Sequence, residues 1–220
     1  MWIFLIIGTV LMGICGFFQS KLYKIKWWKS IILTLCFTGF GVLGTFILYL
    51  IETGKWGGTS FYGSVLFIPL LVIPLKFILK IDYKTIVSIA APQICLMLGT
   101  MKINCATAGC CYGIMINING DPVRLPIQII ESILGFILAG ALIALQFKKI
   151  WTNYMYEVFL VSYGILRLII NFFRGDIDAF VWILPAGHLW SIIAIISGIL
   201  WIILNLFVFS NKKEQKNEIQ

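Results

Sequence analysis

Apolar runs of spanning length recur along the chain at about 1–19, 31–51, 61–79, 85–101, 127–146, 154–173 and 188–209. A helix needs roughly 20 apolar residues to cross the hydrocarbon core of a bilayer, and each run approaches that length. The fourth is the weakest, broken by Pro92 and Gln93. Short lysine-bearing segments separate the runs, among them KLYKIKWWK and the clusters around Lys80, Lys148 and Lys212. The pattern predicts an all-α integral membrane protein of about seven transmembrane helices. Residues 1–210 form one multi-pass domain, and NKKEQKNEIQ at 211–220 reads as a disordered cytoplasmic tail.

Composition supports this reading. The 220 residues are 60% hydrophobic and only 12% charged, with a mean hydropathy of +0.99. A soluble domain of that size needs far more polar surface. The net charge of +8 does not indicate nucleic acid, because the lysines lie between apolar runs and so report orientation. With seven spans, twelve lysines share one side with the C-terminus. The other side holds Lys55, Lys102, Arg124, Arg167 and Arg174. The positive-inside bias then places the C-terminus in the cytoplasm and the N-terminus outside. No basic residue precedes the first run and no small-x-small cleavage site follows it, so it reads as a retained span.

The outward side also carries the chemistry. In YGILRLIINFFRGD, Tyr163, Arg167, Asn171 and Arg174 are spaced 4, 4 and 3, one stripe on a helix. An arginine within a span costs about 2.5–3.5 kcal/mol, so it pairs internally or faces a wet cavity. Arg167 has two readings: it pairs with Glu131 or Glu157 to fasten helices, or it binds a ligand. Its fork suits phosphate, and on a membrane protein the abundant phosphate is a lipid head group. Arg174 either joins that site or snorkels to the interface. RLPIQIIE brings Gln128 and Glu131 onto one face of the fifth span, for binding or for helix packing. Tyr62, in WGGTSFYGS, opens the third span. His188, the only histidine, opens the seventh and is a base near neutral pH or an incidental interfacial residue.

The stretch MKINCATAGCCYG at 101–113 stands apart from its apolar surroundings. It reads as a polar re-entrant loop stapled by a disulfide, as a metal site or as the floor of an active site. Cys105, Cys110 and Cys111 allow a disulfide in an oxidising exterior. Zinc takes four ligands in a closed site or three plus water; three cysteines with an adjacent pair and one distant histidine match that poorly, and no metal is expected. Cys15, Cys36 and Cys95 lie in spans as small apolar fillers.

From about residue 57 to 200 the chain resembles the prolipoprotein diacylglyceryl transferase family. GGTSFYGS is similar to that family's GGMSFHGG, and APQICLMLGTMKINCATAGCCYG to its AP…LG…GRIGNFxNGExYG. RLPIQIIE resembles RHPxQLYE, YGILRLIINFFRGD resembles YGxxRFxxEFxR with a following acid, and AGHLWSIIAIISGI resembles GQxLSIPMIxxGI. The resemblance implies a membrane enzyme that moves a diacylglyceryl group from phosphatidylglycerol to the lipobox cysteine of a prolipoprotein. It also implies a bacterial cytoplasmic membrane, binding of the prolipoprotein signal peptide, and no metal or cofactor.

Carried over position by position, Arg167 falls on the family's essential arginine. Tyr163, Arg174 and Glu131 match polar residues of its cavity, with Gln128 in the same RLPIQIIE motif. The departures fall on phosphate- and proton-handling groups. Lys102 stands where the family has arginine, Cys105 where it has asparagine, and Ala108-Gly109-Cys110 where it has NGE. Tyr62 replaces a histidine, Asn171 a glutamate and His188 a glutamine. Lys102 holds phosphate only as a point charge. With the family's histidine gone, the resemblance leaves Tyr62, His188 or a substrate-assisted thiolate to manage the proton.

Overall fold

The computed structural model describes residues 2–118, 121–175, 180–181 and 184–217, with side chains undescribed at 118, 180 and 208–217. Asp176 and Asp178 lie outside the described residues. Seven long helices carry the chain: α1 Trp2–Leu22, α2 Trp27–Thr53, α3 Tyr62–Leu79, α4 Tyr83–Ala108, α5 Ile127–Phe147, α6 Met155–Asn171 and α7 Ala186–Asn217. Two short antiparallel hairpins join them at one end, β1 Met115–Ile118 with β2 Asp121–Arg124, and β3 Phe180–Val181 with β4 Leu184–Pro185. The segment expected as a tail, 211–220, lies at and past the end of α7, where side chains are undescribed.

Among the described residues six helices, all but α6, are long and apolar enough to cross a membrane. The 17 residues of α6 instead carry Glu157, Tyr163, Arg167 and Asn171, all buried in the bundle. Outer faces confirm the setting: Trp2 is 71% exposed, Phe77 71% and Phe207 65%. Apolar surface on that scale is not kept in water, and here it faces lipid. This is a multi-pass integral membrane protein.

At the centre stands α4, with 78% of its apolar window buried against 17–44% for the other five candidate spans. It packs on α1, α2, α3, α5 and α6. Asp82 caps its start by accepting from Lys84 N at 3.0 Å, and Gly109 ends it in the left-handed conformation at φ 68°. Ala106 and Ala108 carry the helix past the expected end near 101, so Lys102 and Cys105 sit on a helix, not in a re-entrant loop. Only the turn after it reverses the chain.

Helix-breaking prolines are handled by side chains from neighbours. Pro92 has no N–H to give Ser88 O, and Gln146 Nε2 donates to that carbonyl at 2.6 Å. Pro69 likewise leaves Val65 O free, and the Tyr156 hydroxyl donates to it at 2.5 Å. Around Pro92 the amides continue: Gln19 donates to Gln146 at 3.0 Å and to Ile89 O at 3.2 Å, and Gln93 donates to Gln19 at 3.0 Å. Gln93, which weakens the fourth run as sequence, is therefore a fully buried cross-link between helices. The α2–α3 crossing depends on Gly63, where a Cβ would meet Gly44 O at 2.0 Å.

Candidate active site

Three helices each contribute one charge to a common point. Lys102 from α4, Glu131 from α5 and Arg167 from α6 are 8%, 4% and 9% exposed. Glu131 forms ion pairs with both cations, one carboxylate oxygen to Lys102 Nζ and the other to Arg167 Nη1. A carboxylate alone at this depth would be costly, and pairing is what permits it. The helix-fastening reading of Arg167 is thus realised in part, since it does pair with Glu131. Glu131 is shared between the two cations, and both of them also face a cavity.

Lys102 and Arg167 both line a cavity of about 730 Å³ bounded by α1–α4 and the loops at one end of the bundle. Arg174 lines it as well, adding a third cation. Phe37, Ile68, Ile94, Met97 and Leu98 make its deeper wall apolar. A charged rim above an apolar slot suits an amphiphile with an anionic head. Glu131 does not line this cavity; it stands behind the two cations and sets their position.

The expected stripe on α6 holds for Tyr163, Arg167 and Asn171, which are all buried. Arg174 leaves it, because α6 ends at Asn171. It is placed instead by a backbone bridge to Gly113 and by Gly175 N donating to Tyr112 O at 3.0 Å. The approach demands glycine: at Gly113 a Cβ would meet Leu125 Cβ and O at 2.8 Å and Phe173 O at 2.9 Å. Gln128 serves the same loop, donating to Cys110 O at 2.6 Å. Its role in the structure is to hold the wall of the cavity.

Tyr62 and His188 are not among the residues lining the cavity. The Tyr62 hydroxyl is 2.7 Å from Ser191 Oγ, which itself donates to Gly187 O at 2.6 Å, so Tyr62 is the donor and ties α3 to α7. Its ring packs on Tyr163 at 5.5 Å. His188 lies edge-on to Phe172 at 5.1 Å, and its Nδ1 has no hydrogen-bond partner among the described residues. Asn171 is 6% exposed, and neither of its amide atoms has a described hydrogen-bond partner.

Two residues have partners that the sequence does not show. Glu52 lines the cavity and accepts from Ser60 Oγ at 2.8 Å and Trp190 Nε1 at 2.6 Å, fastening α2 to α7. Cys111 is the other. A hydrogen bond from the Cys105 thiol, with Lys102 and Arg174 nearby, lowers its pKa to about 5. Only the acidic residue and the cysteine themselves were visible beforehand; their neighbours come from distant segments.

Comparison with known proteins agrees with the geometry. The family model of prolipoprotein diacylglyceryl transferase matches residues 3–204. The phosphatidylglycerol–prolipoprotein diacylglyceryl transferase of Clostridium tetani is 29% identical over 137 residues, 54% of this chain and 52% of that protein. The enzyme named phosphatidylglycerol–prolipoprotein diacylglyceryl transferase 2 of Clostridium perfringens is 28% identical over 222 residues, 94% of this chain and 80% of that protein. The chain thus spans about half the length of the first relative and four fifths of the second. With the match running from α1 into α7, the chain belongs to the prolipoprotein diacylglyceryl transferase family.

Proposed function

We propose that the protein transfers the diacylglyceryl group of phosphatidylglycerol to the lipobox cysteine of a prolipoprotein. The observation that carries this is the pair of cations, Lys102 and Arg167, held by Glu131 on the rim of a cavity whose deeper wall is apolar. The lipid enters from the bilayer with its acyl chains along the apolar wall. Its phosphate meets Arg167 and Lys102, with Arg174 beside them.

Charge bookkeeping of the reaction fits those three cations. The substrate thiolate attacks the glycerol carbon that bears the phosphate ester, a C–S bond forms, and the C–O bond breaks. Glycerol phosphate leaves with the electron pair. One negative charge sits on the phosphodiester at the start and two on the phosphate monoester at the end. Fixed cations at that phosphate stabilise the transition state more than the ground state, which is the condition for catalysis. Arg167 and Lys102 hold the phosphate and Glu131 positions them. Tyr163 and Asn171 flank Arg167 on α6, and Gln128 and Cys105 shape the wall. Tyr62 and His188 act from outside the cavity, on the α3–α7 contact and on its Phe172 edge.

The lysine asymmetry supports an external N-terminus, a cytoplasmic C-terminus and α6 as the sixth of seven spans, so that the cavity opens on the outer side of a bacterial cytoplasmic membrane. Departure of Lys102, Cys105 and Tyr62 from the resembled motifs favours a second reading, a paralogue that acts on another lipid-linked substrate or only binds phospholipid. The purified chain in phosphatidylglycerol vesicles with a lipobox peptide separates them. The expected result is a mass gain of one diacylglyceryl group on the peptide cysteine, absent in phosphatidylethanolamine vesicles. Lipid binding without any mass gain overturns the transferase reading.

A further inference from the structure

Three sulfur atoms meet at the rim of the cavity. Cys105 comes from the last turn of α4 and Cys110 and Cys111 from the reversal after it, and their Sγ atoms all lie within 4.8 Å of one another. None of the three is in a disulfide. All three line the cavity, as Lys102 and Arg174 do.

The spacing is close to what a metal needs. With a zinc–sulfur bond of about 2.3 Å, two thiolates on one ion lie about 3.8 Å apart in a tetrahedral site and about 4.0 Å in a trigonal one. Contraction by at most about 1 Å, within reach of side-chain rotation, brings the three sulfurs to that separation. The backbone holds them for it. Gly109 and Cys111 both take the left-handed conformation, at φ 68° and 60°, so the chain doubles back and returns Cys111 toward Cys105. Cys110 N donates to Cys105 O at 3.1 Å, and Gln128 anchors Cys110 O at 2.6 Å. A non-glycine residue in that conformation costs on the order of 1 kcal/mol, which the braced turn sustains.

We infer that Cys105, Cys110 and Cys111 form a three-thiolate site for a thiophilic metal ion, zinc(II) foremost, with the fourth position open to the cavity. No histidine, aspartate or glutamate joins the group among the described residues, so water or a cavity ligand completes the shell. Three thiolates and a divalent ion carry one net negative charge, offset by Lys102 and Arg174 beside them. Binding releases the thiol protons to solvent. The adjacent pair and the distant histidine speak against metal by spacing alone; the left-handed turn at Gly109 and Cys111 nevertheless brings all three sulfurs together.

The test is metal uptake by the reduced full-length protein in detergent, read by metal analysis after dialysis against zinc(II) and by thiolate-to-cobalt charge-transfer absorption with cobalt(II). One equivalent per chain is expected. Cys105→Ser, Cys110→Ser and Cys111→Ser should each weaken binding at least tenfold, and Cys36→Ser should leave it unchanged. In the wild-type protein zinc should also shield three thiols from maleimide, counted by mass. Uptake below a tenth of an equivalent, unshielded thiols, or wild-type affinity in Cys111→Ser overturns the site. None of these readouts depends on diacylglyceryl transfer, so the site and the proposed function fail separately.

Discussion

Two of the polar groups buried in this bundle differ in charge and in what they face. Around Pro92, Gln19, Gln93 and Gln146 form a neutral network whose amides bond one another and the carbonyls of Ser88 and Ile89. Around Glu131, Lys102 and Arg167 form an ionic group with one anion for two cations, on the rim of a cavity. The first satisfies backbone groups left over by a proline and is closed. The second is charged and lines a cavity. Burial is common to both, so a buried polar group does not by itself mark a site; charged side chains lining a cavity do.

Mutations should pull the two groups apart, and Arg167→Ala should have the largest effect. It removes the forked donor from the phosphate, and transfer measured on vesicles should fall by about a hundredfold or more. Arg167→Lys should fail similarly, because a point charge does not replace the fork. Lys102→Ala comes next, with a loss of about ten- to a hundredfold, the worth of one hydrogen bond to a charged group. Lys102→Arg should retain transfer; a dead Lys102→Arg enzyme with its fold intact would show that Lys102 does more than hold phosphate.

Glu131→Gln exchanges a loss of activity for a loss of stability. It leaves two buried cations without their anion, at a cost of about 3–5 kcal/mol. Phosphatidylglycerol should then raise the melting temperature of this variant more than that of wild type, because the lipid phosphate takes the place of the missing charge. The smallest effect on chemistry belongs to the neutral network. Gln146→Leu leaves Ser88 O unsatisfied and should cost about 1–3 kcal/mol in thermal unfolding, with transfer per folded molecule unchanged. Tyr156→Phe, which frees Val65 O, should behave in the same way and more mildly.

What the sequence showed and what it hid follow from the range of each signal. Hydropathy is local, so the seven helices were legible, and α3 and α5 fall within two residues of their expected bounds. Spacing on α6 placed Tyr163, Arg167 and Asn171 on one face, and the structure buries all three. Capping was the limit at 101–113, where Ala106 and Ala108 extend α4 and only Gly109 ends it. The hairpin at 115–124 leaves no mark in the sequence pattern, since four-residue strands of mixed character carry too little periodicity. Pairings across the bundle were the least legible: Gln146 with the carbonyl freed by Pro92, Tyr62 with Ser191, and Glu131 with two cations at once. Each joins segments far apart in the chain, and only packing of the helices brings them together.

The central claim is that Lys102 and Arg167 at the cavity rim hold a phosphate, and lipid-dependent stability tests it most directly. Melting temperature is measured in micelles with rising phosphatidylglycerol and, separately, rising phosphatidylcholine, for wild type and for the Lys102→Ala/Arg167→Ala double variant. Wild type should be stabilised progressively by phosphatidylglycerol and much less by phosphatidylcholine, and the double variant should respond to neither. Equal stabilisation of the double variant by phosphatidylglycerol would contradict the account.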